Sequence, residues 1–235
     1  MSARRTFLSG AALGGLAACG GGAVATAPSC AAPLALVSFW GDSTHSGGFA
    51  RTPQEAGGGY LSPRPTARVV QQLAGAALGI DRSIPGWGIE AQAGGWASTM
   101  AMDPAAVAVL RFGGADTLGT ITPEAFAATL DAMVDVAQRA GKRVVLAGII
   151  YLARRPEWQE PIGMTAAIVT AMQSRRAELN TAVRAVATRR ALPFADIGAL
   201  PFDPLADIAD AVHPAQGYSD RCADAIAACL KPLLF

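Results

Sequence analysis

Short apolar runs alternate along the chain with longer stretches whose apolar positions recur every three or four residues. The runs at 34–39 (LALVSF), 107–112 (VAVLRF) and 143–150 (RVVLAGII) have strand length and little polar alternation, as strands buried on both faces require. Two shorter strand candidates lie at 79–84 and 192–195. Helical periodicity covers 65–78, 89–100, 123–140, 165–189 and 214–233. Around the third of these helices, Thr122 offers a capping hydroxyl, Pro123 suits a first turn, and Gly141 suits a C-terminal cap.

Strands separated by helices, with no hairpin signal between them, predict right-handed crossovers. The expected fold is therefore α/β: a three-layer α/β/α sandwich around a mostly parallel five-stranded sheet. Such sheets bind ligands beyond the carboxyl ends of their strands. A polar residue is a candidate for chemistry when it follows a strand end.

The chain has 235 residues, 51% of them hydrophobic and 16% charged, which suits one domain with a sizeable core. Its first 18 residues are expected to lie outside that domain. Arg4 and Arg5 precede an apolar stretch and small residues up to Cys19, the pattern of an export signal, too short and glycine-rich for a comfortable membrane span. "ARRTFLS" resembles a twin-arginine signal and "LAAC" resembles a lipobox, which implies lipidation at Cys19 and anchoring to the bacterial envelope. The alternative is an ordinary secretory signal that contains a cysteine. Residues 19–30 then form a flexible tether, and the domain occupies 31–235. Loss of residues 1–18 removes two arginines and no acid from a chain of net charge +1, leaving one more acid than base. No polyanion, and so no nucleic-acid partner, is implied.

Besides Cys19 there are Cys30, Cys222 and Cys229. The last two stand about 10 Å apart on one predicted helix, too far for a mutual bridge. Either one of them pairs with Cys30 in an oxidising compartment, or all three are small buried thiols.

"VSFWGDSTHSGG" carries the first strand into Gly-Asp-Ser and places Ser43 just beyond the strand end, where Gly41 permits a tight turn. A serine hydroxyl needs a base to become a nucleophile, and the chain has two histidines. His45 is too local to reach Ser43 with good geometry and is expected to be a polar loop residue. His213 lies in "DAVHP", three residues after Asp210 and just before the last helix. At that spacing a carboxylate can fix the imidazole tautomer, so Ser43, His213 and Asp210 fill the roles of nucleophile, base and orienting acid. A turn serine and a chance Asp-x-x-His are the plain alternatives.

Taken together, these blocks resemble the SGNH or GDSL hydrolases, an esterase and lipase family of flavodoxin-like fold, across nearly all of residues 34–233. "FWGDS" is similar to the first family block, with Ser43 matching the nucleophile. "RSIPG" is similar to the second, with Gly86 matching the glycine whose N–H helps to form the oxyanion hole. "RFGGAD" stands where the third belongs, and "DAVH" matches the last. The third block departs from the family pattern: Ala115 occupies the place of the usual oxyanion-hole asparagine. A methyl group cannot donate a hydrogen bond, and losing one such donor costs about 2.7–4 kcal/mol in the transition state. Thr117 or a water is the candidate stand-in.

The resemblance implies a serine esterase acting on small acyl esters, acetylated carbohydrate among them, with no metal or organic cofactor and with the membrane contacted through the lipid anchor only. The alternative is a binding protein on the same scaffold, weakened as a catalyst by Ala115. Trp40 and Trp87 flank the first two blocks and are expected in the core rather than at an acyl pocket. Arg154 and Arg155 follow the strand ending near Ile150 and are expected to be solvated.

Overall fold

A computed structural model describes residues 34–46, 65–73, 77–151, 165–208 and 213–234. Five strands, β1 (Ala35–Gly41), β2 (Ala77–Asp81), β3 (Val107–Arg111), β4 (Arg143–Ala147) and β5 (Phe194–Ala195), form one sheet of order β2-β1-β3-β4-β5. Every pairing is parallel. From β1 the chain builds first to one side, as β2, and then to the other, as β3. The order thus reverses at the carboxyl ends of β1 and β3, the crevice where open parallel sheets bind ligands.

Among the described residues seven α-helices accompany the sheet: α1 (Ser43–Ser46), α2 (Pro65–Gln72), α3 (Ile89–Ala93), α4 (Trp96–Met102), α5 (Pro123–Arg139), α6 (Ala166–Arg189) and α7 (Gln216–Leu234). All five residues of β3 are buried, and their alternation divides the core. Ala108 and Leu110 pack with Trp96, Phe126, Leu130 and Leu179 on one face, while Val107 and Val109 pack with Val69, Tyr218 and Ile226 on the other. Two covered faces explain why the strand sequence is apolar without a polar alternate. The third expected helix keeps its punctuation: Thr122 Oγ1 accepts the Ala125 N–H at 3.2 Å, and Gly141 takes a φ of 78° beyond the last turn.

The sequence expectation departs from the structure most in three stretches. The helix expected over 65–78 ends at Gln72, and β2 begins at Ala77, because Ala77 and Leu78 pair with Ala35 and Leu36. An Ala-Leu pair suits either state, and the ladder decides. The helix expected over 89–100 is two helices, broken where Gly95 turns left-handed with a φ of 81°. The strand expected over 143–150 leaves the ladder after Ala147, although Gly148–Ile150 stay buried. Polar groups of α6 replace the ladder there: Asn180 accepts the Ile149 N–H at 3.0 Å, and the Arg176 guanidinium donates to the carbonyls of Ile149, Ile150 and Gly198. Burial kept the sequence apolar after the strand had ended.

Cys222 and Cys229 are both on α7 and both carry free thiols, Cys222 fully buried. Cys30, Cys19 and the expected leader and tether lie outside the described residues.

Candidate active site

Gly41 ends β1 against the backbone of Arg111: a Cβ at Gly41 would stand 2.2 Å from the Arg111 carbonyl oxygen. Glycine is therefore needed for the two strand ends to approach so closely. Asp42 follows and organises the turn that carries Ser43. Its Oδ1 accepts the Thr44 N–H at 2.9 Å and the Thr44 hydroxyl at 2.7 Å, and its carbonyl accepts the His45 N–H at 3.1 Å. Ser43 thus opens the single turn of α1 at the end of a fully braced strand.

The loop after β2 runs beside this turn. Arg82 N–H donates to the Phe39 carbonyl and Ile84 N–H to the Gly41 carbonyl, at 2.8 and 2.9 Å. The chain then reverses at Gly86, whose φ of 76° favours glycine. After β3, the turn at Gly113–Gly114 leads into a 3₁₀ turn over Ala115–Leu118. Ser43, Thr44, Gly86, Gly114, Ala115, Leu118 and Gly119 line one pocket of about 290 Å³. Three segments far apart in sequence therefore meet at the topological switch point.

His213 arrives from the far end of the chain. Ile208 and Pro214 form an antiparallel bridge, and the Ala215 N–H donates to the Asp207 carbonyl at 2.8 Å, which closes the loop before α7. Asp207 is itself buried and held by Arg221 at 2.6 Å and by the Asp203 N–H at 2.7 Å. The result is His213 Nε2 at 3.0 Å from Ser43 Oγ, across 170 positions of sequence. That separation permits direct proton transfer between hydroxyl and imidazole.

The model of the GDSL-like lipase/acylhydrolase family matches residues 39–219. The chain belongs to this family. Solved structures share the fold at low identity. A carbohydrate acetylesterase from Sinorhizobium meliloti aligns with a TM-score of 0.70 at 18% identity, over 85% of this chain and 99% of its own. An aryl esterase from M. smegmatis gives 0.70 at 19%, over 85% and 100%. A lipase/acylhydrolase from Enterococcus faecalis gives 0.66 at 20%, over 86% and 98%. No curated protein matches the chain. The protein is accordingly a carboxylic ester hydrolase of the SGNH/GDSL type.

In this acylhydrolase the Ala115 side chain offers no hydrogen-bond donor, and its N–H donates to Asp42 Oδ2 at 3.0 Å. Thr117 does not stand in: its hydroxyl donates to the Gly114 carbonyl at 2.7 Å, within its own turn. Gly114 is required beside this bond, because a Cβ there would stand 2.8 Å from Asp42 Oδ2.

Asp42, Gln92 and Asp116 are site residues to which the sequence reading gave no role. Gln92 Nε2 donates to the carbonyls of Gly41 and Trp87, at 3.0 and 3.2 Å, spanning the β1 end and the Gly86 loop. Asp116 accepts the Ile89 N–H on both oxygens, at 2.9 and 3.2 Å, and so ties the third family block to the same loop. Burial pushes the Asp116 carboxyl up to about 6, helped by the neighbouring Asp42 and Glu90 carboxylates and opposed by the Ile89 N–H. Their signal was present in part, since Asp42 and Asp116 sit inside the first and third family blocks, whereas nothing local marks Gln92.

Two expectations are corrected. His45 is not a polar loop residue: it lies in α1, is 0% exposed and stacks on Phe39 with ring centroids 5.4 Å apart. Burial, aided by the Arg111 charge, holds its imidazole well below the usual histidine range and therefore neutral. Its aromatic ring fits an apolar face that a flexible polar side chain would not. Trp87 is 48% exposed rather than core, because the loop reverses at Gly86 and lifts it from the body. Trp40 does join the core, donating from its indole to Ser38 Oγ at 2.8 Å and meeting Trp96 edge-on. Asp210, Arg154 and Arg155 lie outside the described residues. Among the described residues no group of three His, Cys, Asp or Glu side chains could hold a metal.

Proposed function

We propose that the protein is an exported serine esterase that removes small acyl groups, acetyl among them, from alcohols or carbohydrate, through a Ser43–His213–Asp210 triad. The observation that carries this reading is the 3.0 Å approach of His213 Nε2 to Ser43 Oγ, beside a pocket that Gly86 also lines. His213 takes the Ser43 proton as Oγ attacks the ester carbonyl, and Asp210 holds the imidazole tautomer and balances the imidazolium. The tetrahedral oxyanion is held by the backbone N–H groups of Ser43 and Gly86. His213 then protonates the leaving alcohol. Water attacks the acyl-enzyme with the same histidine as base, and Ser43 is restored.

A pocket of about 290 Å³ suits a short acyl group, and one structural neighbour is a carbohydrate acetylesterase. Cys19 is the proposed lipidation site, which would hold the enzyme on the envelope by an acyl anchor. Hydrolysis of a panel of acetyl, butyryl and longer chromogenic esters and of acetylated sugars tests the substrate class. Activity should fall with chain length and drop by at least ~10³-fold in Ser43→Ala. Equal rates for the two proteins would favour a ligand-binding role on this scaffold, the outcome to which Ala115 inclines the site. Metabolic labelling with a palmitate analogue tests the anchor, and label surviving in Cys19→Ser would reject it.

A further inference from the structure

A second polar constellation lies behind the nucleophile turn and takes no part in the proposed chemistry. Arg111 ends β3 opposite Gly41. Alternation along β3 puts its side chain on the face of Val107 and Val109, the face that α7 covers. It is 2% exposed, and its buried Nε and Nη2 find no hydrogen-bond acceptor. His45 is 0% exposed, and neither of its ring nitrogens finds a partner. Gly41 brings the two residues together, since a Cβ there would touch both the Arg111 carbonyl and His45 Cβ, the latter at 3.3 Å.

Among the described residues no carboxylate pairs with Arg111 or His45. Tyr218 and Cys222, on α7, sense the Arg111 guanidinium, yet burial pushes the phenol up to about 12 and the thiol up to about 11, so both are neutral. The Tyr218 hydroxyl is already placed between the Ile197 carbonyl and the Tyr151 N–H. Asp207, the carboxylate that Cys222 senses, is paired with Arg221 at 2.6 Å. The Asp42 carboxylate directs its oxygens to Thr44 and Ala115 rather than to the guanidinium.

A buried guanidinium cannot shed its proton, and without a counter-charge it is costly. Water can satisfy its N–H groups but does not cancel its charge. We infer that Arg111 and His45 form a binding site for one small monovalent anion of the halide class, held by the guanidinium fork and one imidazole N–H directly behind the turn that carries Ser43. The anion neutralises Arg111, satisfies donors on both side chains, and braces α1 against the end of β3.

The test is thermal unfolding of the full chain while potassium gluconate, too large to enter, is replaced stepwise by chloride or bromide at fixed ionic strength. The midpoint should rise saturably, by roughly 5 °C or more at a hundredfold excess over Kd, and Arg111→Met should abolish the rise. Crystals grown in bromide should show anomalous density within hydrogen-bond reach of Arg111 and His45. A halide-independent midpoint in the unsubstituted protein, a rise that persists in Arg111→Met, or ordered water without bromide at this position would each overturn the proposal. If Arg111→Met fails to fold, the titration and the bromide density of the unsubstituted protein decide alone.

Discussion

Asp42 Oδ2 accepts the N–H of Ala115 at 3.0 Å, across 73 positions of sequence. This bond locks the turn that carries Ser43 to the 3₁₀ turn after β3, and it also occupies the one donor that Ala115 has. The Ala115 methyl group offers the pocket no hydrogen-bond donor of its own.

Restoring a side-chain donor there should therefore raise activity. Ala115→Asn is expected to increase kcat by at least tenfold, toward the hundred- to thousandfold that one oxyanion donor is typically worth, with KM changed far less. Steady-state kinetics on a short-chain ester checks this. An unchanged or lower kcat would mean that the pocket has been rebuilt around the alanine.

Asp116 makes a pH-dependent contribution to stability. Its carboxyl titrates at about 6 in the folded chain against 3.8 ordinarily, so between these values the folded state holds a proton that the unfolded state has lost. Stability from this group is thus greatest below about pH 4 and is lost as pH rises through 6, by roughly 3 kcal/mol. Asp116→Asn keeps an acceptor for the Ile89 N–H without the titration. Its stability relative to the unsubstituted protein should rise between pH 4 and 7 in denaturant unfolding, and a flat difference would reject the raised value.

The Arg221–Asp207 pair, 2.6 Å apart, anchors the loop from which His213 reaches Ser43. Arg221→Gln should lower kcat by about tenfold and leave KM within twofold, because loosening His213, the proposed base, affects the chemical step more than ground-state binding. A selective rise in KM would instead assign Arg221 to substrate binding.

Gly41→Ala puts a Cβ 2.2 Å from the Arg111 carbonyl oxygen, a backbone atom that cannot turn aside. Overpacking at such a site should cost about 3 kcal/mol or more and part β1 from β3 where Ser43 is carried. Calorimetry and ester hydrolysis should fall together, and normal values of both would show that the strand ends can separate freely.

The sequence alone determined the strand and helix alternation, the parallel sheet and the position of Ser43 after β1, because burial on two faces and the termini of helices leave their marks on neighbouring residues. It determined the family too, through blocks that each fit within a few residues. It could not show that the 89–100 stretch breaks at Gly95, that residues 148–150 stay apolar outside the ladder, or that Trp87 is lifted into solvent. Nor could it show that His45 and Arg111 share a buried face, or that Ala115 gives its N–H to Asp42. Only the tertiary structure decided these, along with the approach of His213 to Ser43. Local patterning states which way a residue faces, but which residue it then meets depends on strand order and crossovers, and those are fixed only when the whole core packs.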